Sequence, residues 1–307
     1  MPDLDSAAVM AYFESLSNWN RWGPQDELGT LNLITPATRL AALRCVKEGR
    51  AISCSRTISP KPASDNMQPL LHFMVTSGES AGSGKATAAD WIGMPVHGHG
   101  ITHLDALSHE FWDGKMYNGR PATTVSTATG AAKSNIESSR EGVFTRGVLL
   151  DLPRLSNRGW LEPGTLVTPD ELDQCCSSES VEVGPGDALI IRTGRDARKA
   201  SHGHYRPMVD GVPGLHASCL PWLREHGVAL LGSDSVSDAI PSGLEQLDMP
   251  IHIIGIVAMG LWLLDNCDLE ELADSCSGRD QWDFLFVTAP LRLKNSTGSP
   301  VNPLAIV

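Results

Sequence analysis

The feature that most constrains this chain is a run of ligand-type side chains between positions 97 and 109. It reads His97-Gly98-His99-Gly100-Ile101-Thr102-His103-Leu104-Asp105-Ala106-Leu107-Ser108-His109. With 10 histidines in 307 residues, a window of that size holds fewer than one by chance, and this one holds four. Imidazole and carboxylate together are the ligand set of borderline metals such as Zn or Mn. Geometry then limits the backbone. In a straight strand His99 and His103 stand ~13 Å apart, too far for one ion with bonds near ~2.1 Å. In a single helix Asp105 lies about 240° round from His99. The backbone must therefore turn within the run, and Gly98 and Gly100 permit it. The expected arrangement is a loop carrying His99 and a helix that begins at His103 and Asp105. His109 then follows Asp105 by one turn, on the same side.

The rest of the sequence sets the class of molecule. Hydrophobic residues are 41% and charged residues 20%, a globular balance that excludes disorder, collagen and coiled coil. The net charge of −12 and pI near 5.2 argue against nucleic acid or an anionic membrane as partner. The N-terminus carries no basic residue ahead of an apolar stretch, so no secretory signal is expected. The longest apolar run, residues 251–264, is shorter than the ~20 residues of a membrane span and contains His252. Seven cysteines with no CxxC pattern suit reduced thiols in a cytoplasm.

Thr35-Pro36 and Thr168-Pro169 read as helix caps followed by Pro at the first helical position, with Gly49 closing the first helix. Residues 215–225 read as a helix that Pro221 kinks or delays. Asp268 opens another, with Leu269, Leu272 and Ala273 on one face. Short apolar strands are predicted at 71–76, 147–152, 188–192, 228–232 and 284–289; several are continuous apolar runs, as in strands covered on both faces. Residues 77–89, rich in Gly, Ser and Ala, read as a surface loop. No repeat or linker divides the chain. One compact α/β domain with a mixed sheet is expected over 1–307.

The run His99-x-x-Thr102-His103-x-Asp105-x-x-x-His109 resembles the HxGTHxDxxxH signature of the cyclase family, which includes bacterial kynurenine formamidases and isatin hydrolases. The resemblance extends over most of the chain. Asn18-Trp19-Asn20-Arg21-Trp22-Gly23-Pro24 and Glu27-Leu28-Gly29-Thr30-Leu31-Asn32 look like the N-terminal signature of its longer members, an extension of about 1–35. Arg192-Thr193-Gly194, Gly232-Ser233-Asp234 and Gly298-Ser299-Pro300-Val301-Asn302-Pro303 look like its later blocks. It implies a swivelling β/β/α-like fold, a homodimer or homotetramer, and a hydrolase of amide, cyclic amide or lactone bonds in a small-molecule substrate. It also implies Zn or Mn, one or two per chain, with His99, His103 and Asp105 as ligands and His109 as catalytic acid/base. The signature's glycine is Ile101 here, and the Pro often found before its last histidine is absent.

A further His and an acid are implied in the C-terminal half, where the chain has His252 and Asp265; the formamidases imply Glu at the latter. One helix would hold these ~20 Å apart. If Gly260 ends a helix 250–259, a strand 261–265 returns over a similar distance and the two meet. Trp91, Phe111, Trp112 and Arg192 are candidate substrate-binding residues. Asp90, Arg195, His202 and His204 are weaker pocket candidates. No GxSxG or GxxxxGK[ST] occurs, so neither a serine elbow nor a P-loop is expected. Two other readings use the same scaffold: ring closure, lactone formation or dehydration at the same metal site, and a non-catalytic binding protein.

Overall fold

The computed structural model describes residues 6–80, 82 and 84–307. In chain order its principal strands are β1 (Ala51–Ser53), β2 (Leu71–Thr76), β3 (Ala89–Gly93), β4 (His103–Asp105), β5 (Val143–Asp151), β6 (Ala188–Arg192), β7 (Leu230–Ser233), β8 (Trp262–Asp265), β9 (Asp283–Thr288), β10 (Gly298–Pro300) and β11 (Leu304–Ile306). Nine of them form one sheet in the order β1-β11-β9-β5-β6-β7-β8-β4-β10. Its centre, β5 to β8, is parallel, and the flanking strands are antiparallel. The expected mixed α/β sheet is present.

The central strands are apolar because both faces are covered. Leu149, Leu150, Leu189, Ile190, Leu230, Leu231, Leu263 and Leu264 are all buried, each contributing ~1.5–3 kcal/mol by leaving water. Helices α1 (Pro36–Ala42), α2 (Pro169–Ser178), α3 (Cys219–Glu225), α4 (Pro250–Ile254) and α5 (Glu270–Arg279) complete the layers. Thr35 and Thr168 cap α1 and α2 as capping boxes, the second with Glu171. Gly49 does not close α1, which ends at Ala42 and runs into a 3₁₀ turn, Leu43–Cys45. Pro221 marks a late start, since α3 opens at Cys219 and residues 214–215 belong to a short strand. All seven cysteines are free.

The segment 77–89 is partly a 3₁₀ turn, Gly78–Ser80, and its last residue opens β3. Residues 81 and 83 lie outside the described ones. Strands β2 and β3 pair as a separate hairpin.

Helix α4 continues as a π-helical turn, Gly255–Met259, and Gly260 then reverses the chain with φ +66°. Strand β8 leads back, as the spacing predicts. The reversal is splinted by the N-terminal segment. Asn18 donates to the Ala258 and Met259 carbonyls, the Trp19 indole to Val257 O, and the Thr30 N–H to Gly260 O. The N-terminal signature is thus spent on satisfying the end of one helix.

Candidate metal centre

Strand β4 is the organising element. It pairs with β8 so that His103 stands opposite Asp265, and the pleat puts Asp105 on the same face as His103. This corrects the helix expected from His103 onward. His103 to Asp105 is strand, and His109 returns through a turn in which its N–H donates to Ala106 O. Gly98, at φ +139°, supplies the bend before β4. Ile101, at the signature's glycine position, keeps negative φ and is buried; its carbonyl accepts from His103 Nδ1 at 2.8 Å. That bond leaves His103 Nε2 to face Asp105 Oδ1 at 3.4 Å.

The turn brings His97 and His109 together, their rings stacked at 3.7 Å. His97 Nδ1 lies 2.8 Å from Asp105 Oδ1. From α4, His252 Nε2 reaches Asp265 Oδ2 at 3.2 Å and Asp105 Oδ2 at 3.6 Å. Its Nδ1 is 2.6 Å from Asp238 Oδ2. Ser237 donates to Asp265 at 3.1 Å. Two trios of ligand atoms, each within 4.8 Å, share Asp105: His103, Asp105 and Asp265, and His97, Asp105 and His109.

This cluster fits a bound cation. Asp105, Asp238 and Asp265 are buried, and no Lys or Arg among the described residues pairs with any of them. Both Asp105 oxygens are buried and receive no aligned hydrogen bond, a costly arrangement without a positive partner. Burial alone would raise the Asp105 carboxyl; the charges of His109, His103 and His97 outweigh it and hold it well below the usual carboxylate range. Burial would likewise lower His252, but Asp265 and Asp238 carry it well above the usual imidazole value. Burial lowers the His109 imidazole to about 4, against the charge of Asp105.

His99 lies outside both trios. Burial and the charge of Arg195 lower its imidazole to about 4, with Asp265 and His103 among its electrostatic neighbours. Its main chain is held by Arg195, whose Nη2 donates to His99 O at 2.7 Å. Asn266 holds Gly98 O at 2.7 Å. Arg195 is therefore a buried brace for the histidine loop. Asp234 ties two of the later sequence blocks together, accepting from the N–H groups of Thr193, Gly194 and Arg195 and from the Thr193 hydroxyl.

Four expected substrate contacts fall elsewhere. Arg192 is buried between Asp151 and Glu270, each at 2.7 Å, with Gly159 O at 3.1 Å, so its guanidinium is spent on the fold. Trp112 stacks on Phe13 at 5.1 Å against the core, and Phe111 is partly exposed beside it. Trp91 stands on the exposed hairpin against Phe73. None of these lines the cavity of about 1140 Å³ that opens beside His97 and His99. Asp90 pairs with His72 on the hairpin, and His202 packs on Trp160. His204 reaches the wall of an adjoining cavity and pairs with Asp65 at 2.6 Å.

Sequence reasoning passed over His97, Asp238 and Ser237 as site residues. His97 was visible as part of the run; Asp238 carries no local signal, standing 14 residues before the histidine it holds.

The profile of the putative cyclase family matches residues 40–238. The chain belongs to that family. Among cyclase-family structures, a novel cyclase superimposes with a TM-score of 0.85 at 29% identity, covering 96% of this chain and 99% of that one. The kynurenine formamidase of Bacillus cereus is 32% identical over 117 residues, 38% of this chain and 47% of the formamidase. The matched stretch is thus about half the length of that relative. The isatin hydrolase of Roseibium aggregatum is 26% identical over 225 residues, 71% of this chain and 74% of the hydrolase.

Proposed function

We propose that this cyclase-family protein is a metal-dependent hydrolase that cleaves an amide (N-formyl or cyclic) or lactone bond of a small molecule. The observation that carries the reading is Asp105: buried, without an aligned hydrogen bond, and ringed by His97, His103, His109, His252 and Asp265. Similarity to a kynurenine formamidase and an isatin hydrolase supports the bond class. Asp105, His103 and Asp265 would hold Zn or Mn, with His252 and His99 bordering them. The second trio around Asp105 leaves room in the count for a second ion. When bound, such an ion brings the pKa of a water toward neutrality and polarises a carbonyl.

The chain's own groups supply the rest. Asp238 fixes the His252 ring so that Nε2 faces the carboxylates. His103 is fixed in the same sense by Ile101 O. His109, whose ring is held flat against His97, passes a proton to the departing nitrogen or oxygen. Glu110 Oε1 lies 3.5 Å from His109 Nε2, as a second carboxylate beside the proton path.

Elemental analysis of wild type and His103→Ala, prepared together, tests the reading. One metal or more per chain, lost in the variant, is expected. Wild type that takes up neither Zn nor Mn would overturn it. His109→Ala is expected to keep its metal and lose ~10²–10⁴-fold in turnover. Loss of metal instead would make His109 a ligand.

A further inference from the structure

Four of the five histidines around the candidate centre have a partner that orients the ring. His97 Nε2 lies 3.0 Å from the Thr297 hydroxyl, and His103 Nδ1 faces Ile101 O. His252 Nδ1 faces Asp238, and His109 Nε2 stands 3.5 Å from Glu110. The His99 ring is the exception: among the described residues no hydrogen bond or ion pair reaches it. It borders both cavities that meet at residues 99–100, and Asp265 and His103 are among its electrostatic neighbours.

Glycine stands on either side of His99. Gly98 has φ +139°, and a Cβ added at Gly100 would lie 2.6 Å from Asn66 Oδ1. These glycines let the run turn, but they give the backbone between them little preference of its own. The direction of the His99 ring is therefore set by whatever holds its main chain. Two buried side chains do so. Asn266 Nδ2 donates to Gly98 O and Arg195 Nη2 to His99 O, each at 2.7 Å. The two are joined, since Arg195 Nη1 donates to Asn266 Oδ1. Asn266 directly follows Asp265, and its own carbonyl accepts from Thr102 and Arg56. One unit thus ties the histidine loop to the end of β8.

We propose that Arg195 and Asn266 are positioning residues for the metal centre, which hold the loop by its carbonyls and so place the otherwise unheld His99 ring beside the ligands of β4 and β8. The work needs a guanidinium. Its nitrogens diverge at fixed angles and reach Asn266 and His99 O together, whereas an ammonium is a point charge on a flexible stem. Arg195 is itself anchored through its main chain, where Asp234 accepts from the N–H groups of Thr193, Gly194 and Arg195. Its guanidinium has Asp65 as counter-charge at 3.5 Å. A change of side chain at 195 therefore leaves the anchor in place and alters only the fork.

The inference rests on the metal-dependent reading, and the test separates the two. Affinity for zinc, or for manganese if the wild type takes up only that, is measured by competition with a chelating dye. The proteins are wild type, Arg195→Lys, His99→Ala and the double variant, each first stripped of metal. Each single substitution is expected to weaken binding ~10–100-fold. The double variant is expected to bind no more weakly than His99→Ala, because the brace then has no ring to place. Losses that multiply in the double variant would make Arg195 a general support of the fold and overturn the proposal. Unchanged affinity in either single variant would overturn it as well. Asn266→Asp keeps the acceptor for Arg195 and removes the donor to Gly98 O. It is expected to repeat the pattern against His99→Ala, and decides the matter if Arg195→Lys does not fold. Wild type that takes up neither metal would overturn the hydrolase reading and this proposal together. Metal bound with independent losses overturns the proposal alone.

Discussion

Asp238 accepts from the main-chain N–H groups of Ile251 and His252 and from His252 Nδ1. One carboxylate thus caps α4 and decides which imidazole nitrogen faces Asp105 and Asp265. Asp238→Asn is expected to weaken metal binding ~10–100-fold, read by competition with a chelating dye, while the far-ultraviolet spectrum stays that of wild type. Glu179 makes a different residue-level prediction. Burial pushes its carboxyl up to about 7 from an ordinary 4.5, against the N–H of Asp151, which donates to it. The folded state therefore holds a proton that the unfolded chain releases. That contribution is complete below about 4.5 and is lost as the pH rises through about 7. Glu179→Gln is expected to flatten the dependence of Tm on pH across that window. At this scale the sequence displayed the ligand types but not their partners. The cluster at 97–109 stood out by density, whereas Arg192 looked like a substrate contact because nothing local shows Asp151 and Glu270 closing on it.

At the scale of elements, what was legible was whatever local chemistry decides. Thr-Pro caps announced α1 and α2, and continuous apolar runs announced the central strands. The Gly260 reversal was legible too, because helix, left-handed residue and strand follow one another in the chain. Strand β4 was not. Its three residues are extended because β8 and β10 pair with them on either side, and both partners lie more than 150 residues away, beyond any local pattern. Gly260→Ala tests the reversal. The new Cβ would be strained at φ +66° and would overlap the Tyr117 ring. A loss on the order of 2–4 kcal/mol is expected by urea unfolding, with metal affinity falling as His252 and Asp265 lose their relative placement.

Across the whole molecule, Arg192 joins the ends of β5 and β6 to α5 through Asp151 and Glu270. Arg192→Ala leaves two partly or fully buried carboxylates without their partner. A cost of about 3–5 kcal/mol is expected in denaturant unfolding, with metal stoichiometry of the folded fraction unchanged. An unaltered unfolding midpoint would return Arg192 to the candidate substrate contacts. The mixed sheet was legible at this scale, because alternating apolar runs and capped helices admit few other architectures. The exposure of the β2–β3 hairpin was not, since only the fold shows that Trp91 meets Phe73 and stays half exposed. The N-terminal splint bears on the order of synthesis. Residues 18–30 emerge from the ribosome more than 200 residues before the carbonyls they hold, which belong to residues 257–260. An ion that meets the growing chain early finds only residues 97–109. His252 and Asp265 follow Asp105 by more than 140 residues, so the proposed ligand set closes only once β8 has been made.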